Sequence, residues 1–184
     1  MNPMSIRESI LTGELPPELE LGDILEALRR TRQPNQFELF GFLTARHCRN
    51  GVWQPLGLLS CKKVTTAFAD YIVDSLQDST TYPLDAFKYH ASGTDNTAES
   101  NTDTALGTEV ETRATGTQIE GSSSNIYKSV GTQTYTASRT IYEHGLFSAS
   151  SGGTLLDRSV IAGQAVENND QIEWTYQLTV NAES

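Results

Sequence analysis

Residues 172–180, with the sequence IEWTYQLTV, contain the pattern that decides the fold. Polar residues separate five apolar ones: Ile172, Trp174, Tyr176, Leu178 and Val180. A period of two places the apolar side chains on one face and the polar ones on the other, which leaves little room for a helical interpretation. The stretch therefore predicts an antiparallel strand with one face on a core and the other in solvent.

Similar β-prone runs, divided by turn residues, fill the rest of the C-terminal half. They predict strands at 87–91, 111–119, 126–137, 140–148 and 155–162, with turns at SSGG (150–153) and ENND (167–170). All six prolines lie in the first 83 residues, so none interrupts these ladders. Several short strands with turns between them predict a mainly β protein, a sandwich or a jelly roll. Of the two, we expect an antiparallel β-sandwich of jelly-roll type with one or two short helices.

A hairpin is predicted between residues 37 and 64. Asn50-Gly51 suits a two-residue type I′ turn, and apolar residues on both faces of the first strand favour burial between two layers. With this turn, the numbers of two residues that face each other add up to 101. Cys48 then lies opposite Trp53, and Cys61 lies opposite Phe40. The two cysteines then cannot bond, and we expect two reduced, partly buried thiols.

Two short helices are predicted from apolar spacing. Phe68, Ile72 and Leu76 recur at i, i+4 and i+8 behind Thr65-Thr66, which predicts an N-capped helix that covers one end of the sheets. A second, amphipathic helix carries an apolar stripe followed by cations, and its candidate partner-binding residues are Leu21, Ile24, Leu25, Leu28, Arg29 and Arg30. We expect an extended N-terminal arm at residues 1–36 and a β-sandwich domain at 37–184.

Composition and charge exclude several classes of protein. The chain has 184 residues, of which 37% are hydrophobic, and this is enough for an ordered core. Thirteen Lys and Arg against 23 Asp and Glu give a net charge of −10, which argues against nucleic acid as a partner. No apolar run approaches the length of a membrane span, and the start resembles no signal peptide, so we expect no membrane partner and folding in the cytoplasm.

Candidate catalytic and metal-ligating residues are sparse. A zinc site would need His47, His90 or His144 together with Cys48 and Cys61, but the spacings of known zinc motifs are absent. Histidines hydrogen-bonded to neighbouring backbone are the favoured interpretation.

Two further candidate sites, for calcium and for a serine triad, lack the motifs that such sites need. The acidic run TDNTAESNTDT (94–104) contains oxygen ligands that calcium prefers, yet it lacks the glycine and closing glutamate of an EF-hand, which favours a solvated loop. A serine triad through His144 and Asp157 has no nucleophile elbow. We therefore predict no enzyme, no metal and no cofactor.

Five aromatic residues leave one binding alternative open: Tyr127, Tyr135, Tyr142, Trp174 and Tyr176. They would suit a sugar-stacking platform, whereas on sandwich strands such residues more often pack inward as cross-strand pairs. A glycan-binding module is thus the most distant functional alternative.

The segments FKYHASGT (87–94), RATGTQ (113–118) and EHGLFSASSGGTLLDRSV (143–160) carry a family likeness. Over about residues 64–180 the chain resembles a family of small virion structural proteins of tailed bacteriophages. The resemblance implies a non-enzymatic capsid cement or decoration protein that binds the major capsid protein on the virion surface after assembly in the host cytoplasm. It fits a homo-oligomer, with a trimer expected at a three-fold position. The alternative is a tail or baseplate component of the same particle.

Overall fold

The computed structural model describes residues 39–180, which form nine strands in two antiparallel sheets, one α-helix and one short 3-10 helix (Leu84–Ala86). The strands are β1 (Phe40–Arg49), β2 (Val52–Lys63), β3 (Tyr89–Gly93), β4 (Glu109–Thr115), β5 (Thr117–Glu120), β6 (Ile126–Thr134), β7 (Arg139–Phe147), β8 (Leu155–Val166) and β9 (Gln171–Thr179). The first sheet has the order β2-β1-β9-β6-β5 and the second β4-β3-β7-β8. The predicted mainly β, two-sheet antiparallel architecture is confirmed.

Strand β9 lies at the centre of the first sheet, between β1 and β6. Its alternating residues Ile172, Trp174, Tyr176 and Leu178 are all buried, as the period of two predicts. Val180 follows the last residue of the strand and is exposed. Two apolar clusters fill the space between the sheets, one around Trp174 and one around Tyr176.

The single strand predicted at 111–119 was wrong. The chain forms β4 in one sheet, crosses at Gly116, and continues as β5 in the other. A Cβ at Gly116 would lie 2.5 Å from Ser129 Oγ, so only glycine lets the crossing approach the core this closely. The other predicted strands are present with shifted ends, and the strand at 155–162 runs on to Val166.

The β1–β2 hairpin turns at Asn50-Gly51, where both residues have positive φ, as predicted. Cys48 pairs with Trp53 as expected, but Cys61 pairs with Phe42 and not with Phe40. Two register shifts cause the difference, because each inserts an extra residue into β2. Both cysteines are buried and free, as predicted.

Helix α1 (Thr66–Gln77) follows β2 and covers one end of the sandwich. Thr65 caps it by accepting a hydrogen bond from the Phe68 amide, which confirms the predicted N-cap. Phe68 is buried in the end cluster, whereas Leu76, the last residue of the predicted apolar period, is 81% exposed. A helix of 12 residues is too short to span a bilayer, and no other part of the described chain holds a longer one.

The N-terminal arm predicted at residues 1–36, with its candidate partner-binding residues, lies outside the described residues. The domain predicted to start at 37 contains all the described strands, and the first of these begins at Phe40.

Candidate functional site

A row of buried polar side chains crosses the space between the two sheets. Ser129 belongs to the first sheet, and its Oγ lies 2.9 Å from His90 Nε2 in the second. His90 Nδ1 in turn lies 3.0 Å from His144 Nε2, and the His144 ring packs 4.8 Å from Trp174, centroid to centroid. Burial lowers the pKa of His90 to about 3 and holds that of His144 well below its usual value, so both rings are neutral.

This row joins the sheets and is closed to any substrate. A serine beside a histidine has the composition of a nucleophile–base pair, but Ser129, His90 and His144 are all fully buried. The second nitrogen of His90 meets another histidine, where a catalytic arrangement would place a carboxylate. The expectation that the histidines bond to backbone was wrong, because their partners are side chains.

The two residues proposed for a serine triad are not linked to each other by any hydrogen bond among the described residues. His144 bonds to His90, whereas Asp157 Oδ2 accepts a hydrogen bond of 2.8 Å from Ser159 Oγ. Asp157 is buried, and this burial raises its pKa to about 7. Within residues 39–180, its Oδ1 finds no partner, and the same holds for Ser60 Oγ and Tyr176 Oη.

A buried ion pair organises the acidic loop that was considered for calcium. Glu143 is fully buried and accepts a hydrogen bond of 2.8 Å from Arg158 Nε. It also accepts bonds from the loop amides of Asp95, Gly107 and Thr108. The loop is thus fixed to the second sheet by one carboxylate of that sheet and not simply solvated.

The carboxylates of that loop are already engaged. Asp103 accepts a bond of 3.0 Å from Arg158 Nη1, Glu99 pairs with Lys62 at 2.5 Å, and Asp95 accepts bonds from Thr97. An arginine therefore lies where a cation ligated by Asp103 would have to approach. Within residues 39–180, no three His, Cys, Asp or Glu side chains come together as a metal-binding group.

The remaining histidine, His47, belongs to a charged cluster at the end of the β1–β2 hairpin. Its Nε2 lies 3.0 Å from Asp170 Oδ2, which also accepts a bond of 2.7 Å from Arg49 Nη2. Burial alone would raise the pKa of Asp170, but bonds from Arg49, the Glu167 amide and His47 outweigh it and lower the pKa to about 2. The cluster fixes the turn at 167–170 to the hairpin.

Most of the aromatic set faces the core. Trp174, Tyr135 and Tyr176 have no measurable exposure, and the Trp174 Nε1 donates to Gln133 at 3.2 Å. Tyr127 is half-buried and donates to the Phe87 carbonyl. The inward-packing interpretation therefore describes these rings, and a sugar platform could use Tyr142 but not the three buried ones.

Helix α1 presents exposed apolar side chains on the described surface. Ala69, Val73 and Leu76 lie along one side of α1, with Val73 55% and Leu76 81% exposed. Carboxylates of Asp70 and Asp74 flank this stripe on the same helix. We call these three apolar residues the α1 stripe. Apolar spacing alone does not reveal this stripe, because Leu76 continues the period of four that begins at the buried Phe68.

Neither comparison with known proteins finds a relative of this chain. No family model matches it, and no curated protein matches it.

Proposed function

We propose that this chain is a non-enzymatic structural protein of a tailed-bacteriophage virion, a capsid cement or decoration protein that binds the major capsid protein and stabilises the shell. The likeness of residues 64–180 to such proteins supports the proposal. So does the described domain, in which the buried His90 and His144 bond to each other and the buried Glu143 pairs with Arg158. A homotrimeric state on the capsid surface and a jelly-roll type of sandwich belong to the same proposal.

The α1 stripe is the observation that carries this proposal. A large aliphatic side chain that is 81% exposed gains about 1.5–3 kcal/mol when a partner covers it. One such contact is weak, but a shell presents many equivalent sites, and an oligomer that engages several at once gains avidity. Asp70 and Asp74 beside the stripe favour a partner surface with basic residues around an apolar centre.

The test measures binding of the purified full-length protein to capsids that lack it. Leu76→Asp should abolish co-sedimentation with the shell, because the charge would have to be buried at the contact. Val52→Asp is the matched control, since Val52 is 60% exposed at the far hairpin and should leave binding unchanged. Both variants should keep the wild-type thermal midpoint.

Two outcomes would overturn the proposal. If Leu76→Asp binds shells as the wild type does, the α1 stripe is not the capsid contact. If the wild-type protein is recovered only with purified tails, the tail or baseplate alternative replaces the capsid one.

A further inference from the structure

A lysine and a glutamate from distant parts of the chain meet at one end of the sandwich. Lys62, near the end of β2, places its Nζ 2.5 Å from Oε1 of Glu99 in the loop at 94–108. Their side chains are 14% and 17% exposed, so most of the pair is shielded from water. The pair also connects the two layers, because β2 belongs to the first sheet and Glu143 fixes the loop to the second.

The neighbouring backbone holds this contact in place. The Thr66 amide, four residues after Lys62, donates to the Asn101 carbonyl at 2.8 Å, and the Thr65 amide donates to the Leu156 carbonyl at 2.9 Å. These two bonds fix the end of β2 to the loop and to β8. The lysine and the glutamate therefore start from fixed backbone positions, which reduces the freedom that their side chains lose when they meet.

A third ionisable group, the buried carboxyl of Asp157 in β8, lies near this pair. Asp157 is 1% exposed, and among the described residues its Oδ1 has no hydrogen-bond partner. Burial is the main cause that raises the pKa of Asp157 to about 7, and the charges of Glu99 and Lys62 also act on it. Asp157 therefore keeps its proton up to about neutral pH, and it can give that proton to a neighbouring group and take one back.

We propose that Lys62 and Glu99 become joined by an isopeptide bond between Nζ and Cδ, with Asp157 as the proton relay. In the ion pair, the ammonium first passes a proton to the Glu99 carboxylate, which leaves a free amine and a carboxylic acid. The Nζ lone pair then forms a bond to Cδ, the bond between Cδ and its hydroxyl oxygen breaks, and one water molecule leaves. Asp157 protonates the departing hydroxyl and accepts the proton that Nζ loses, so its own protonation is unchanged at the end.

Two physical conditions favour this condensation. Shielding from water disfavours the charged pair relative to the neutral amine and acid, and only the neutral amine is a nucleophile. Well-oriented groups in one molecule react as if at an effective concentration of about 10⁵ M or more, which is far above the concentration of the water that opposes amide formation.

The bond gives the domain a covalent link that its cysteines do not provide. Cys48 and Cys61 are both free, so no disulfide joins the described strands. A link between residues 62 and 99 closes the chain over α1 and β3 and restricts the unfolded chain, as a disulfide over the same span does. The inference is independent of the proposed function, because the bond forms within one chain whether or not that chain binds a shell.

The test is the intact mass of the full-length protein, measured after unfolding. The wild type should be lighter than its sequence mass by one water molecule, and a tryptic digest should contain a branched peptide that joins Lys62 to Glu99. Lys62→Arg keeps the positive charge but lacks a primary amine, so it should show its full sequence mass. Lys128→Arg, which changes a lysine of β6 in the first sheet, is the matched control and should keep the loss of water.

Asp157→Asn tests the proposed relay separately. It leaves Lys62 and Glu99 in place but removes the exchangeable carboxyl proton, so in freshly synthesised protein sampled over time the cross-link should form about 100-fold more slowly. Near-ultraviolet circular dichroism of Trp174 shows whether each variant keeps the core. An unchanged rate in a folded Asp157→Asn protein would overturn the role of Asp157.

Two results would overturn the cross-link itself. A wild-type protein at its full sequence mass would mean that Lys62 and Glu99 form an ion pair only. A loss of water that fragmentation places at residues other than 62 and 99 would assign the modification to another part of the chain.

Discussion

His90 Nδ1 and His144 Nε2 lie 3.0 Å apart in a core that excludes water from both rings. One nitrogen must donate and the other must accept, so the contact requires at least one neutral imidazole. A proton added to either ring would bring a charge into an apolar space with no carboxylate bonded to it.

This pair predicts that the domain loses stability in acid. The folded pKa of His90, about 3, lies below its usual value of 6.5, so the unfolded chain binds more protons as the pH falls between these values. Stability is fully present above about pH 6.5 and falls by up to about 1.4 kcal/mol per pH unit for each such histidine. Urea unfolding at pH 7, 6, 5 and 4 measures the slope.

His144→Gln should flatten that slope even if it lowers stability at every pH. It removes one of the two groups whose protonation differs between the folded and unfolded states. An unchanged slope in the variant would mean that the histidines do not govern the acid sensitivity.

Asp157 should contribute in the opposite direction. Its folded pKa, about 7, lies above its usual value of 3.8, so its contribution is fully present below about pH 3.8 and is lost as the pH rises to about 7. The stability of Asp157→Asn relative to wild type should therefore rise from pH 4 to pH 7, by up to about 1.4 kcal/mol per unit. A constant difference over this range would show that Asp157 is ionised in the folded protein.

The sequence predicts those parts of the fold that depend on neighbouring residues. The alternation of apolar and polar residues predicts β9, the Asn50-Gly51 pair predicts the hairpin turn, and Thr65 predicts where the helix begins. All three signals lie within a few residues of the structure they specify.

Features that depend on distant strands could not be predicted in this way. His90 and His144 are 54 residues apart, and they meet only because β3 pairs with β7. The change of sheet at Gly116 depends on the close approach of Ser129, which local propensity does not contain. The α1 stripe was missed because helical spacing does not reveal where a helix leaves the core.

Trp174 and Trp53 provide a matched pair of variants that tests which face of the first sheet packs on the core. Trp174→Ala should cost about 3–5 kcal/mol, because it leaves a cavity beside His144 and removes the Nε1 bond to Gln133. Trp53 is 37% exposed and stacks on Arg46, so Trp53→Ala should cost about 1 kcal/mol or less. Chemical denaturation compares the two, and equal losses would mean that the assignment of faces is wrong.

Glu143→Gln should destabilise the protein and release the loop before β4. The variant leaves the Arg158 guanidinium buried without its closest anion, a change that costs about 3–5 kcal/mol in comparable buried pairs. It also weakens the bonds that the carboxylate accepts from Gly107 and Thr108, so these two amides should exchange hydrogen faster than the strands around them.

Glu173→Gln is the control for this prediction. It breaks an ion pair with Arg46, whose side chain is 49% exposed, and such surface pairs contribute about 0–1 kcal/mol. Hydrogen exchange followed by mass spectrometry should therefore show faster exchange at 94–108 in Glu143→Gln alone. The Arg158 pair with Asp103 persists in that variant, so β8 should keep its protection while the loop loses its own. If hydrogen exchange became faster by the same factor over the whole domain, Glu143 would stabilise the fold as a whole and would not specifically fix the loop.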